Sequence, residues 1–227
     1  MARPPRLKDG SYIGRRQYFL TFSTFERQPF LAERETAAAL REQLLRSSQA
    51  HDMAVDAYVF MPDHVHLLVK GLTPTADMTA FMADFKHEAG WHYRRNRGKR
   101  LWRDGFHDRV LRDAADALPI LAYIVANPVR AGLVASASEY ESWGSLTQSR
   151  SEILDRLKGE TRDDVRRGFT PADTVNDIEA SVTAGDKPSP HTFASRRTLS
   201  HPTAHCKEDL FTAGNERSTL LGSPEDA

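Results

Sequence analysis

Residues 58–70, Tyr-Val-Phe-Met-Pro-Asp-His-Val-His-Leu-Leu-Val-Lys, read as two short strands joined at Met61-Pro62-Asp63. Side chains alternate faces along a strand, so residues two apart point the same way. His64 and His66 therefore stand side by side, their imidazoles close enough to share one divalent metal ion. Val65, Leu67 and Val69 fill the opposite face. Two histidines on one wall of a sheet, flanked by apolar residues, make a site. The rest of the chain must supply what that site acts on.

The chain around this hairpin has 227 residues, enough for one ordinary domain and a tail. Its single cysteine, Cys206, excludes an internal disulfide framework and fits a reducing cytosol. No apolar run reaches the roughly 18 residues of a membrane span, and the charged N-terminus lacks the apolar core of a secretory signal. Net charge is zero but unevenly spread. Residues 1–150 hold 21 Lys+Arg against 17 Asp+Glu, leaving a net acidic remainder in 151–227. A mildly basic body with an acidic tail is compatible with a polyanionic partner, though most such imbalances are solvated surface.

Residues 1–16 are basic and Pro-rich, including Arg15 and Arg16, and read as an arm: a frayed terminus or a phosphate contact. Tyr18 to Phe25 is aromatic and β-branched, a strand. Leu31 to Gln49 is helical, with Leu40, Leu44 and Leu45 on one face. The hairpin strands follow, at Ala54 to Met61 and His64 to Lys70. A long helix is expected from about Asp77 to Arg95, where Met78, Phe81, Met82, Phe85 and Ala89 form one apolar stripe of core type. His87 and His92 on this helix are assigned no ligand role. A short strand at Arg109 to Arg112 precedes a helix from about Ala114, or nearer Leu118 because of Pro119, to Asn127, with Gly132 as its stop. Ala135 to Leu146 is expected to add a closing segment around Trp143.

That order of elements predicts an α+β fold, a ferredoxin-like split βαβ with a four-stranded antiparallel sheet and helices on one face. The expected organisation is an arm over 1–16, a domain over 17–148 and an acidic, mostly disordered tail over 149–227, with one helix near Ser151 to Lys158. His191, His201, His205 and Cys206 lie in that tail without the spacing of a closed zinc site.

Two further groups carry chemistry. Arg94, Arg95, Arg97, Lys99, Arg100 and Arg103 place six cations in ten residues, interleaved with Trp91, Tyr93 and Trp102. Such a cluster suits phosphate contacts and base stacking, while cations at a helix end also favour its dipole. In the last helix, Tyr123 and Asn127 fall about 40° apart on one face, at the edge of the buried side. A tyrosine beside a metal is a candidate nucleophile. The Asn127 amide oxygen is a candidate third ligand for a site left open by two histidines.

Three blocks, Met61-Pro-Asp-His-Val-His-Leu-Leu-Val69, Leu101-Trp-Arg-Asp-Gly-Phe-His-Asp-Arg-Val-Leu-Arg-Asp113 and Ala122-Tyr-Ile-Val-Ala-Asn-Pro-Val-Arg-Ala-Gly-Leu-Val134, occur in that order. Together they make the sequence resemble the HUH single-strand DNA transposases with one catalytic tyrosine, and among these the REP-associated tyrosine transposases. The resemblance covers residues 12–146. It implies that His64 and His66 are the metal pair, Tyr123 the nucleophile and Asn127 the polar third ligand. It implies Mg²⁺ or Mn²⁺ as the ion and a single-stranded DNA hairpin as the partner, in a bacterial cytoplasm. Arg15, Arg16 and the cluster from Arg94 to Arg103 would hold the DNA backbone, with Trp102 and Tyr93 stacking bases. His107 would lie near the site or serve structure alone, and Asp63 would assist the metal or merely form the turn, the turn being the preferred reading. Monomer and homodimer stay open, as does a hairpin-binding protein of the same descent that has lost turnover.

Overall fold

The computed structural model describes residues 12–111 and 116–167, with side chains to residue 159. Five strands and four α-helices alternate along them: β1 Gln17–Ser23, α1 Arg34–Ala50, β2 Met53–Phe60, β3 His64–Gly71, α2 Met78–Arg97, β4 His107–Leu111, α3 Ala117–Arg130, β5 Trp143–Gly144 and α4 Arg150–Arg167. The sheet is antiparallel in the order β4-β1-β3-β2-β5. The expected split βαβ arrangement is present, with a fifth strand where the sequence predicted a closing segment. β5 is only two residues long and pairs Trp143 with Val59 and Gly144 with Tyr58.

Helices cover both faces of the sheet, not one. On the first face Tyr18, Leu20, Phe22, Val65, Leu67 and Val69 pack against Leu40 and Leu44 of α1 and the predicted stripe of α2. On the second face Phe19, Ala57, Val59 and Leu68 pack against Ile120, Leu121, Ile124 and Val125 of α3. Both faces of β1 are apolar and both are covered, as expected for a strand buried from two sides.

Local chemistry sets the helix ends. Asp77 caps α2 by accepting hydrogen bonds from the backbone N–H groups of Thr79 and Ala80, and Gly98 ends it in the left-handed region at φ 68°. α3 runs through Pro128 to Arg130, three residues past the expected end. A proline this near the C-terminus removes one backbone bond, yet the helix closes through Ala131 N–H to the Asn127 carbonyl.

The ends of the domain differ from expectation. Residues 12–16 are tied down: Gly14 N–H donates to the Ala76 carbonyl, and Gly71 N–H to that of Arg16. The chain crosses so closely that a Cβ on Gly71 would collide with the Gly14 carbonyl. At the other end α4 starts at Arg150, and its Ile153 is fully buried in the second core. Arg150 binds this corner, donating to the carbonyls of Ala137, Ser138 and Tyr140 while lying 4.5 Å from the Trp143 ring centroid. The first helix of the expected tail is thus part of the packed domain. Residues 1–11, the start of the last helix expected at Ala114, and the histidines and cysteine of 191–206 lie outside the described residues.

Truncating Ile153 to alanine is expected to destabilise the domain by about 2–5 kcal/mol, the usual range for a buried Ile→Ala change. Urea unfolding of the two chains measures it, and an unchanged midpoint would mean that α4 is not part of the folded unit.

Candidate active site

The site is built on β3, whose position between β1 and β2 fixes both of its faces. Register places His66 opposite Thr21 of β1 and Val59 of β2, and Thr21 opposite His107 of β4. Directly paired residues point to the same face, so these residues form one row on the α3 side. His64 and His66 meet edge to face, with ring centroids 4.9 Å apart. His66 is buried at 1% exposure and stacks on Phe19 at 5.5 Å.

Each imidazole is held through Nδ1. His64 Nδ1 donates to the Asp63 carboxylate at 2.6 Å, and His66 Nδ1 lies 2.8 Å from Thr21 Oγ1. With Nδ1 engaged, Nε2 is the nitrogen each ring offers to a ligand, an arrangement typical of metal-binding histidines. Asp63 thus does more than form the turn: it orients the His64 ring. Arg27 donates to its second oxygen at 3.2 Å. The hydrogen bond from His64, with the charge of Arg27 behind it, holds the Asp63 carboxyl below its usual range. Burial, followed by the charges of His64 and Arg27, pushes His66 well below the normal imidazole value. His66 is thereby kept neutral, the state that coordinates a metal.

Tyr123 is brought to the pair by the packing of α3. Ile120, Ile124 and Val125 bury against the sheet, and Tyr123 meets His66 edge-on at 5.3 Å and Phe19 at 6.0 Å between centroids. Asn127, one turn later, is buried at 8% exposure. Among the described residues no group of three His, Cys, Asp or Glu side chains could hold a metal ion. Two imidazoles can, if oxygen ligands such as the Asn127 amide complete the set. Such a donor set would suit a divalent ion with positions open for a substrate.

The expected DNA-binding cations divide between the two ends of the sheet. The segment 101–103 runs beside the end of β1: Phe25 N–H donates to the Leu101 carbonyl and Arg103 N–H to that of Ser23, the residue opposite His64. That puts the 101–103 end of the cluster about 10 Å from His64, two strand spacings away. Lys86, held by the Arg103 and Gly105 carbonyls and burial-shifted to a pKa of about 8, pins this segment to α2. Arg15 and Arg16 stand at the other end of β1, roughly 20 Å from the histidines at six residues of strand. Arg94, Arg95 and Lys99 are exposed, whereas Arg97 pairs with Glu33 and Glu35, and Arg100 with Asp104.

Two expected stacking residues are corrected. Trp102 is buried at 6% exposure against Phe22 and Phe85, and Tyr93 at 8% against Phe30, so neither ring presents a face to a base. Trp91, at 50% exposure with Arg95 over its ring, is the aromatic that the cluster displays. Sequence reasoning also missed Thr21 and Arg27, whose roles depend on pairing across strands. It missed Arg130, whose guanidinium lies 5.2 Å from the Tyr123 ring centroid. Its spacing of seven residues, about two helical turns, was a readable signal.

The family model described as IS200-like transposase matches residues 13–127, which hold His64, His66, Tyr123 and Asn127. The REP-associated tyrosine transposase of Escherichia coli strain K12 is 24% identical over 152 residues, 65% of this chain and 78% of that protein. A solved REP-associated tyrosine transposase, bound to a REP hairpin, is similar in fold with a TM-score of 0.52 at 22% identity, covering 62% of this chain and 81% of that one. No helix among the described residues is long and apolar enough to cross a membrane. With half its length matched from the first strand through the tyrosine helix, the chain belongs to the IS200-like transposase family.

Proposed function

We propose that this transposase cleaves and rejoins single-stranded DNA beside a hairpin of REP type, through a 5′-phosphotyrosine link to Tyr123. The observation that carries the proposal is the contact of Tyr123 with His66, which puts a phenol beside two imidazoles whose Nε2 atoms are left for a metal. The hairpin substrate is supported by the name of the E. coli relative and by the DNA in the similar solved complex.

His64, His66 and Asn127 would hold Mg²⁺ or Mn²⁺, which when bound would polarise a non-bridging oxygen of the scissile phosphate and orient it. Asp63 and Thr21 fix the imidazoles so that the ligand atoms are in place before substrate arrives. Tyr123 supplies the oxygen that attacks phosphorus, and the 3′ oxygen of the preceding nucleotide leaves as a hydroxyl. The phosphodiester energy is kept in the protein–DNA bond, so a second 3′-OH can reverse the step and join a new strand without ATP. Phe19, Leu68 and α3 wall the reacting group from water on the protein side. The exposed cations between Arg94 and Arg103 would hold the DNA backbone beyond Ser23, with Trp91 offered to an unpaired base.

Two outcomes are expected. Incubated with labelled hairpin DNA from the flanks of its own gene, the chain forms a Mg²⁺-dependent covalent band that survives denaturation, and Tyr123→Phe loses it while native hairpin binding stays within about threefold. A Phe variant that still forms the band would remove Tyr123 as nucleophile. Binding without cleavage in both Mg²⁺ and Mn²⁺ would favour a hairpin-binding protein without turnover. Thr21→Val, which takes away the His66 Nδ1 partner, is expected to weaken Mn²⁺ binding by about 10–100-fold in calorimetry. An unchanged affinity would show that this contact does not serve the metal.

A further inference from the structure

Arg130 is exposed on the last turn of α3, and it lays its guanidinium over the Tyr123 ring, 5.2 Å from the centroid. The two residues share a helix face about two turns apart. Tyr123 touches His66 and Phe19 inside the second core and Arg130 at its solvent margin. Ile120, Leu121, Ile124 and Val125 fill the rest of this side of α3.

Charge makes the position informative. The two imidazoles and the amide of Asn127 bring no fixed positive charge, and burial keeps His66 neutral. Arg94, Arg95 and Arg97 lie in the last turn of α2, which packs on the opposite face of the sheet from Tyr123. Arg130 is a permanent cation set directly on the aromatic ring of the proposed nucleophile. A guanidinium can stack on a ring and still present a planar fork of donors to a phosphate, which an ammonium cannot do.

We infer that Arg130 is a catalytic residue of the transfer step, donating hydrogen bonds to a non-bridging oxygen of the phosphate that Tyr123 attacks. The inference rests on the reading of Tyr123 as nucleophile. In the step the bond from the Tyr123 oxygen to phosphorus forms and the bond from phosphorus to the 3′ oxygen breaks. The phenol gives up one proton and the departing 3′ oxygen takes one up, so no further reactant is required. Charge stays on the non-bridging oxygens throughout, and a preorganised donor there stabilises the transition state. Contact with the ring also keeps the phenol turned toward the bound phosphate.

The test measures covalent-adduct formation by the full chain with Mg²⁺ and a labelled single-stranded hairpin oligonucleotide, comparing the parent with Arg130→Gln and Arg130→Lys. At saturating DNA, Arg130→Gln is expected to slow the adduct rate by about a hundredfold. The half-saturating DNA concentration and the Tm should stay close to the parent's, with Arg130→Lys intermediate in rate. A substrate carrying a neutral methylphosphonate at the scissile link should shrink the gap between parent and Arg130→Gln to less than threefold. A gap of undiminished size on that substrate, an Arg130→Gln rate within threefold of the parent on the natural one, or a loss of Tm in place of rate in both variants would each overturn the assignment. A parent that forms no adduct would sink the reading of Tyr123 itself, whereas an active parent with an unaffected Arg130→Gln variant sinks Arg130 alone.

Discussion

The alternation of side chains along β3 is the constraint from which the rest of this protein follows. Val65, Leu67 and Val69 must face α1 and α2, so His64, His66 and Leu68 face the other way. A slip of one residue would turn the two histidines into the larger core and the valines toward α3. Pairing on both sides, Thr21 with His66 and Val59 with His66, forbids that slip. The same pairing also positions the site, because it sets Thr21 Oγ1 beside His66 Nδ1 and Ser23 beside His64.

Burial does two things at once here. It stabilises the sheet through two apolar layers, and it sets the chemistry of the polar groups caught between them. His66 is held neutral by the layer that α3 lays over it, with Phe19 stacked on its ring. Asp63 stays ionised at the less buried end of β3, where His64 and Arg27 both donate to it. One histidine is thus supported by a neutral hydroxyl in the core and the other by a carboxylate near solvent. That asymmetry would suit the proposed metal, gripped from the protein side and open to a charged substrate from the other.

Much of this was legible in residues alone, and what was not has identifiable causes. The strand pair with its two histidines, the α2 stripe and the Tyr123–Asn127 spacing are all periodicities, and periodicity survives without coordinates. The placement of helices on both faces was hidden because each helix shows only its own apolar side. The run Tyr18-Phe-Leu-Thr-Phe22, apolar without alternation, was the available sign of a strand covered twice. Trp102 misled because a tryptophan among arginines looks exposed; it is turned inward by a backbone bridge to Thr24 that no local pattern announces. Ile153, Leu154 and Leu157 pack on the second core from an otherwise polar, charged helix, and three apolar residues are too short a stripe to mark a core contact. Thr21, Arg27 and Arg130 act through partners that only the folded chain brings near, though the last shares a helix with its partner.

Anomalous diffraction from crystals soaked in Mn²⁺ tests the central claim most directly, that the two histidines offer one ion their Nε2 atoms beside Tyr123. The account predicts a single strong peak within coordination distance of His64 Nε2 and His66 Nε2, on the α3 side of the sheet, with the Asn127 amide oxygen turned toward it. A peak placed elsewhere, coordination through Nδ1, or no peak at the pair in millimolar Mn²⁺ would contradict it.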